Sequence, residues 1–102
     1  MTTHEGPGIR AIAPDPDGVA IVLREERWGH IIANHPEVRP LQVSVMEAVS
    51  SPSHRRPGPS LGEVWFYLEL PASAPAHWLK VVVRYDQREG WIVTAFLRRS
   101  MP

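Results

Sequence analysis

Two stretches near the C-terminal end of this 102-residue chain alternate between apolar and polar residues, as do strands with one buried face. The stretches are Trp78–Tyr85 and Trp91–Arg99, and the turn-forming segment Asp86–Gly90 joins them. We therefore expect an antiparallel hairpin. The apolar residues share one face when Val82 lies opposite Thr94, whereas a slip of one residue would mix the faces and bury charge.

This register predicts the composition of both faces of the hairpin. The predicted pairs are Lys80–Phe96, Arg84–Ile92 and Tyr85–Trp91. The core face would contain Leu79, Val81, Val83, Val93, Ala95 and Leu97. The second face would contain Trp78, Lys80, Arg84, Thr94, Phe96 and Arg98. The preceding strand, Glu63–Leu70, adds Trp65 and Tyr67 to the second face if its own apolar residues turn inward.

The N-terminal half contains both helix and strand signals. A helix is predicted over Glu25–His35, where apolar residues recur with the spacing of one helix face and Pro36 ends the pattern. A second helix is predicted from near Pro40 to Ser50. Short strands are predicted over Ile9–Ala13 and Val19–Leu23, and a loop or a short edge strand over Ser53–Leu61. This order predicts an α+β domain with both helices on one face of an antiparallel sheet of at least three strands.

The composition excludes several classes of protein. The chain contains no cysteine, which excludes a disulfide scaffold, a thiol nucleophile, a cysteine-based zinc site and an iron–sulfur cluster. No apolar run approaches the length of about 20 residues that spans a bilayer, and the N-terminus does not resemble a secretory signal. We therefore expect a soluble cytoplasmic protein without contact to a membrane.

The charges of the chain balance overall but are unevenly distributed. Residues 1–53 contain four basic and seven acidic residues, whereas residues 54–102 contain seven basic and four acidic ones. The second face of the hairpin would thus combine aromatic rings with Arg and Lys. Such a face suits single-stranded RNA, because bases stack on rings while phosphates meet cations. The alternative is an ordinary solvent-exposed face whose rings pack under a loop or a partner.

Two histidines lie on the first predicted helix, and three others, His4, His54 and His77, fall in the predicted tail and loops. The five-residue step from His30 to His35 places them about 140° apart on a helix, which suits a shared metal poorly. No other histidine or carboxylate has a recognisable ligand spacing, so we expect neither a metal nor a cofactor. Either residue could transfer a proton at neutral pH, because imidazole titrates there.

The order of several short motifs resembles a known nuclease family. These motifs are RWGHIIANHPE at Arg27–Glu37, SSPSHRR at Ser50–Arg56, LKVVVRY at Leu79–Tyr85 and WIVTAF at Trp91–Phe96. Together they resemble the barnase–EndoU–colicin–RelE-like nucleases (the BECR fold), above all the phage-associated domains of that group. The resemblance extends from roughly residue 19 to residue 99.

This resemblance implies a fold with two N-terminal helices packed on one face of a curved antiparallel sheet of about four strands. The fold would form a single domain over residues 9–102, after a disordered tail at residues 1–8. The family consists of metal-independent endoribonucleases, often toxins or domains derived from phages and mobile elements. In these enzymes a ribose 2′-hydroxyl attacks the adjacent phosphate.

Carried over to this chain, the resemblance implies a set of site residues. The catalytic residues would be His30, His35, Arg84 and Thr94. The RNA-binding residues would be Lys80, Tyr67, Trp65 and Arg98, with Tyr67 stacking on a base or assisting otherwise. The partners would be an RNA substrate and a cognate antitoxin or immunity protein. The alternative is a non-catalytic domain of the same fold that binds RNA or a protein.

Overall fold

A computed structural model describes residues 8–101 as a six-stranded sheet with two α-helices on one of its faces. The elements in chain order are β1 (Ile9–Pro14), β2 (Ala20–Arg24), α1 (Glu25–Asn34), a 3-10 helix (Pro36–Leu41), α2 (Gln42–Ser50), β3 (His54–Pro57), β4 (Glu63–Glu69), β5 (Trp78–Tyr85) and β6 (Gly90–Arg98). The predicted tail lies outside the described residues apart from Gly8, whose carbonyl accepts a hydrogen bond from the Glu25 N–H.

The expected arrangement, two N-terminal helices on an antiparallel sheet of about four strands, is wrong. The chain is α+β, but β1 and β2 precede the helices and belong to the same sheet, whose strand order is β1-β2-β6-β5-β4-β3. The sheet is mixed, because β2 runs parallel to β6 at Ile21 and Val22 while the other neighbouring strands are antiparallel. Gly90 permits this approach, since a Cβ there would lie 2.6 Å from Ile21 Cδ1.

The helices follow the predicted apolar pattern but have different ends. Trp28 and Ile31 are the buried residues of α1. The chain then continues as a 3-10 helix that contains Pro40, so α2 begins at Gln42 and not near Pro40. Proline lacks the N–H group that an α-helix interior requires, which accounts for the interruption. No helix in residues 8–101 is long and apolar enough to cross a membrane.

The hairpin of β5 and β6 confirms the predicted register over most of its length. Lys80 lies opposite Phe96, and Val82 lies opposite Thr94. The neighbouring residues point to the helices, and Val81 and Ala95 are fully buried there. The alternation therefore separates a core face from a polar face as the sequence predicts.

The register changes after Val82. A β-bulge places Val83 opposite Ile92, which makes the predicted Arg84–Ile92 and Tyr85–Trp91 pairs wrong. Arg84 instead lies opposite Trp91, and Tyr85 lies opposite Gly90. Ile92, which is 1% exposed, thus enters the core in place of Val93. The extra residue on β6 buries the larger side chain while Arg84 stays in solvent.

The turn between β1 and β2 is attached to strands from elsewhere in the sheet. The buried Asp15 carboxylate accepts hydrogen bonds from the N–H groups of Asp17 and Val19 and from the Tyr85 hydroxyl at 2.7 Å. Arg55 on β3 forms an ion pair with Asp17 at 3.0 Å. Since β1 and β3 are the two ends of the strand order, the sheet must curl for these residues to meet.

We expect Asp15→Ala to lower the free energy of unfolding by about 2 kcal/mol at pH 7, because it leaves the Tyr85 hydroxyl without its acceptor. Burial alone would raise the pKa of Asp15, but hydrogen bonds from Tyr85, Val19 and Asp17 lower it below 3.8. The ionised carboxylate therefore stabilises the fold above pH 3.8, and this contribution is lost as the pH falls through the folded-state pKa of Asp15.

Urea denaturation at pH 7 and at pH 3 measures both effects. The stability difference between the wild type and Asp15→Ala should narrow on acidification. Asp17→Ala is the control, since that exposed ion pair contributes less than about 1 kcal/mol. An equal loss at both pH values would show that the carboxylate charge of Asp15 does not stabilise the fold.

Candidate nucleic-acid interface

The sheet face opposite the helices, called here the outer face, carries the candidate site. Alternate residues of four adjacent strands point to this face and form rows across the sheet. One row consists of His54 on β3, Tyr67 on β4, Lys80 on β5 and Phe96 on β6, each directly opposite the next. The flanking rows supply Glu69, Trp78 and Arg98 on one side, and Arg56, Trp65, Val82 and Thr94 on the other.

Lys80 lies at the centre of the outer face in a box of aromatic rings formed by Trp65, Tyr67 and Phe96. Its Nζ is 3.4 Å from the centre of the Trp65 ring and 5.7 Å from the centres of the other two rings. The side chain is only 5% exposed. Contacts with aromatic faces stabilise a desolvated ammonium by about 2 kcal/mol or more. Within residues 8–101, no carboxylate forms an ion pair with Lys80.

The electrostatic surroundings of Lys80 are positive. Burial lowers the pKa of Lys80, and the nearby guanidinium groups of Arg98 and Arg56 lower it further. Glu63 acts in the opposite direction, but its Oε2 already accepts a hydrogen bond from Trp65 Nε1 at 2.7 Å. Among the described residues, the charges that act on the Lys80 pKa are thus two guanidinium groups and one carboxylate.

Tyr67 is fully buried beside Lys80. Its hydroxyl finds no hydrogen-bond partner among the described residues. Its ring meets Trp78 at nearly a right angle, with the ring centres 6.3 Å apart. Because Tyr67 is 0% exposed, neither face of its ring is open to a base in the free protein. Burial raises the pKa of Tyr67, so the hydroxyl stays protonated and able to donate.

His35 joins the outer face at the C-terminal end of α1. Its ring stacks on Phe96, with ring centres 5.1 Å apart and an angle of 29° between the planes. Glu37 Oε2 lies 3.8 Å from His35 Nδ1, and the His35 side chain is partly exposed. The imidazole and the Lys80 ammonium thus both lie close to the Phe96 ring.

The four residues predicted to be catalytic do not form one cluster. His30 lines a separate pocket of about 280 Å³ with Arg24, Arg27 and Trp91. Arg84 is exposed and lies between Glu63 and Trp91, towards that pocket. Thr94 lies in the row next to Phe96, opposite Val82. Only His35 and Thr94 are near the Lys80 box. Trp65, Tyr67 and Arg98, which the alternation of the strands predicts to share a face with Lys80, also lie close to it.

Two histidines that the sequence analysis leaves in loops also lie on the outer face. His77 stacks on Trp78 with ring centres 4.8 Å apart, and its Nε2 forms a hydrogen bond with Glu69 at 2.9 Å. His54 on β3 meets the edge of Trp78 at 5.6 Å. The adjacency of His77 and Trp78 in the sequence is the one signal that could indicate this cluster. His54 becomes recognisable only once β3 is paired with β4.

Another pocket, of about 380 Å³, lies around Asp15, Asp17, Arg55 and Tyr85. Its polar groups form hydrogen bonds with one another, and these bonds join the β1–β2 turn to β3 and β5. Among residues 8–101, no three histidine, aspartate or glutamate side chains are close enough together to hold a metal ion. Comparisons with protein-family models, with curated proteins and with solved structures give no match.

The burial of Lys80 leads to a prediction about stability and pH. The folded-state pKa is lowered from 10.5, so the unfolded chain binds more protons in the alkaline range between the folded-state pKa and 10.5. The wild type should therefore gain stability relative to Lys80→Met as the pH rises towards about 10.5. At pH 7 the free energy of unfolding of the variant should not fall more than about 1 kcal/mol below that of the wild type. The variant loses the cation–π contacts, but it also avoids the cost of desolvating an ammonium group, and the two effects offset each other.

Urea denaturation of both proteins at pH 7 and at pH 10 measures this change. Arg88→Gln, in the exposed β5–β6 turn, is the matched control, since a guanidinium does not titrate in this range. Its stability relative to the wild type should be the same at both pH values. If Lys80→Met behaved like Arg88→Gln, Lys80 would have to be fully hydrated in the folded protein.

Proposed function

We propose that this protein is a metal-independent endoribonuclease that binds single-stranded RNA on the outer face. One observation above all supports the proposal. A buried ammonium, Lys80, lies in a box of aromatic rings, and the imidazole of His35 packs on the ring at the edge of that box. A cation that can bind a phosphate group and an imidazole that can accept a proton thus lie on one surface.

The composition of the outer face matches the chemistry of an RNA strand. Trp65, Trp78 and Phe96 are half-buried, so part of each ring is exposed and can contact a base. The guanidinium of Arg98 beside them can bind phosphate oxygens in pairs. Affinity from such contacts falls with added salt, because counterions are released from the phosphates.

The proposed reaction uses groups that are present in the protein. The 2′-hydroxyl oxygen attacks the adjacent phosphorus, and its proton passes to Nε2 of His35. The bond from phosphorus to the 5′ oxygen breaks, leaving a 2′,3′-cyclic phosphate, and the leaving oxygen takes a proton from water. The positive charges of Lys80 and Arg98 stabilise the additional negative charge on the phosphate in the transition state. In this scheme His30 and Arg84 take no part in the chemistry.

The wider role of the protein depends on the family resemblance of the motifs and not on the geometry. That resemblance supports a toxin or a phage- or mobile-element-derived domain, with an antitoxin or immunity protein as its partner. A non-catalytic RNA-binding domain is the alternative, and cleavage distinguishes the two.

The purified protein should cleave single-stranded RNA in the presence of EDTA, and His35→Gln should reduce the rate by about 100-fold or more. His30→Gln is the matched control and should change the rate by only a few-fold, because His30 lies in a separate pocket. A substrate with 2′-deoxyribose at the cleaved position should bind but stay intact, since it lacks the nucleophile.

Three results would contradict the proposal. Loss of activity on EDTA treatment that added metal restores would show a metal-dependent enzyme. An equal loss in both histidine variants would remove the special role of His35. Salt-sensitive binding of RNA without cleavage would support the non-catalytic alternative.

A further inference from the structure

We infer that the Tyr67 hydroxyl and Lys80 Nζ form an anion subsite that holds the phosphate group at which RNA is cleaved. The inference rests on the proposed function, which it extends by naming the group that this buried pair binds. Tyr67 then acts through its hydroxyl and not through its ring. Two hydrogen-bond donors support the inference, because neither has an acceptor among residues 8–101.

The Tyr67 hydroxyl is the first of these donors. In folded proteins, buried hydroxyl groups nearly always have a hydrogen-bond partner, and an unpaired one destabilises the fold. Tyr67 is 0% exposed, and no donor or acceptor within residues 8–101 pairs with its hydroxyl. A phenylalanine would fill the same space without that cost. The hydroxyl is therefore best explained by an acceptor that arrives with a ligand.

Lys80 is the second donor and lies directly opposite Tyr67 in the pairing of β4 with β5. Its Nζ is 5.7 Å from the centre of the Tyr67 ring, and it forms no ion pair with a carboxylate within residues 8–101. An ammonium has three N–H donors and no acceptor. Both neighbouring donors thus need acceptor oxygens, and the aromatic box supplies none.

The charges around the pair identify the ligand as an anion. Arg56 and Arg98 lie close enough to influence both Tyr67 and Lys80 electrostatically. Glu63 is the one acidic group with a comparable influence on Lys80, and its Oε2 is held by Trp65 Nε1. A phosphate group fits this set best, since its several oxygens can accept from a phenol, an ammonium and a guanidinium at once.

Access to the buried Tyr67 hydroxyl requires a neighbouring side chain to move, and Trp78 is the neighbour that we expect to move. This ring is half-buried and stands edge-on to Tyr67, and the side chains that pack on it, His54 and His77, are both exposed. Rotation of the indole would open the hydroxyl without disturbing the helix-side core. Binding of a phosphate would then satisfy the donor that the free protein leaves unpaired.

Inorganic phosphate and a 2′-deoxy oligonucleotide are suitable probes, because neither requires cleavage. Phosphate should raise the melting temperature of the wild type above its value in sodium chloride of equal ionic strength. Tyr67→Phe should melt at the same or a higher temperature than the wild type without phosphate, yet lose most of the phosphate-dependent increase. Its affinity for the oligonucleotide should fall about tenfold, as expected for one lost hydrogen bond to a charged group.

Lys80→Met should also lose the response to phosphate, while Arg88→Gln, which removes one positive charge in the β5–β6 turn, should keep it. A wild type that does not respond to phosphate would overturn the subsite. So would a Tyr67→Phe variant that binds phosphate normally, or one that melts well below the wild type, since its hydroxyl would then have a structural partner.

These outcomes are separable from those of the proposed function. A protein that binds phosphate through Tyr67 but leaves RNA intact would support the subsite and overturn the nuclease. Equal rates of RNA cleavage by the wild type and by Tyr67→Phe would support the nuclease and overturn the subsite.

Discussion

The pairing of β5 with β6 determines the position of nearly every side chain discussed above. Adjacent residues of β5 point to opposite faces, so the buried Val81 and the boxed Lys80 depend on the same register. Burial of apolar area against the helices favours that register strongly, since each large apolar side chain contributes about 1.5–3 kcal/mol. The outer face also buries aromatic area, above all at Tyr67, in the same register. Its aromatic and basic residues are brought together as a consequence of how the core packs.

Two side chains at the centre of the outer face lower the stability of the free protein. Lys80 is desolvated without an ion pair among the described residues, and the neighbouring Tyr67 hydroxyl lacks a partner there. An apolar pair of the same size would avoid both costs, and such replacements are often neutral or stabilising in other proteins. Buried polar groups that weaken the free protein are characteristic of binding sites, where a ligand supplies the missing partner. The proposed function gives these two side chains a common purpose.

The position of α1 connects the start of β6 with the Lys80 box on the outer face. The helix follows directly from β2, which pairs with the start of β6, and it ends where His35 reaches Phe96 near the other end of β6. The curl of the sheet is stabilised by the hydrogen bond from Tyr85 to Asp15 and by the ion pair between Arg55 and Asp17. The curl and the parallel β2–β6 pairing together decide that His35 reaches the outer face and that His30 lies in another pocket.

The sequence by itself determined the local elements and the two faces of the hairpin. Alternation predicted that Lys80 and Trp65 share a face, and helical spacing predicted that His30 and His35 point in different directions. Both conclusions follow from periodicity, because strands repeat every two residues and helices every 3.6. They needed no knowledge of the rest of the chain.

Only the tertiary structure decided which elements meet. The pairing of β2 with β6, the bulge after Val82 and the stacking of His35 on Phe96 join residues that are far apart in the chain. No local pattern encodes such contacts, because they depend on how the whole core packs. For the same reason His54 and Arg56, which look like loop residues in sequence, become part of the outer face only through the pairing of β3 with β4. The periodicity of the strands could thus place residues on a face, but packing alone could assemble that face into a site.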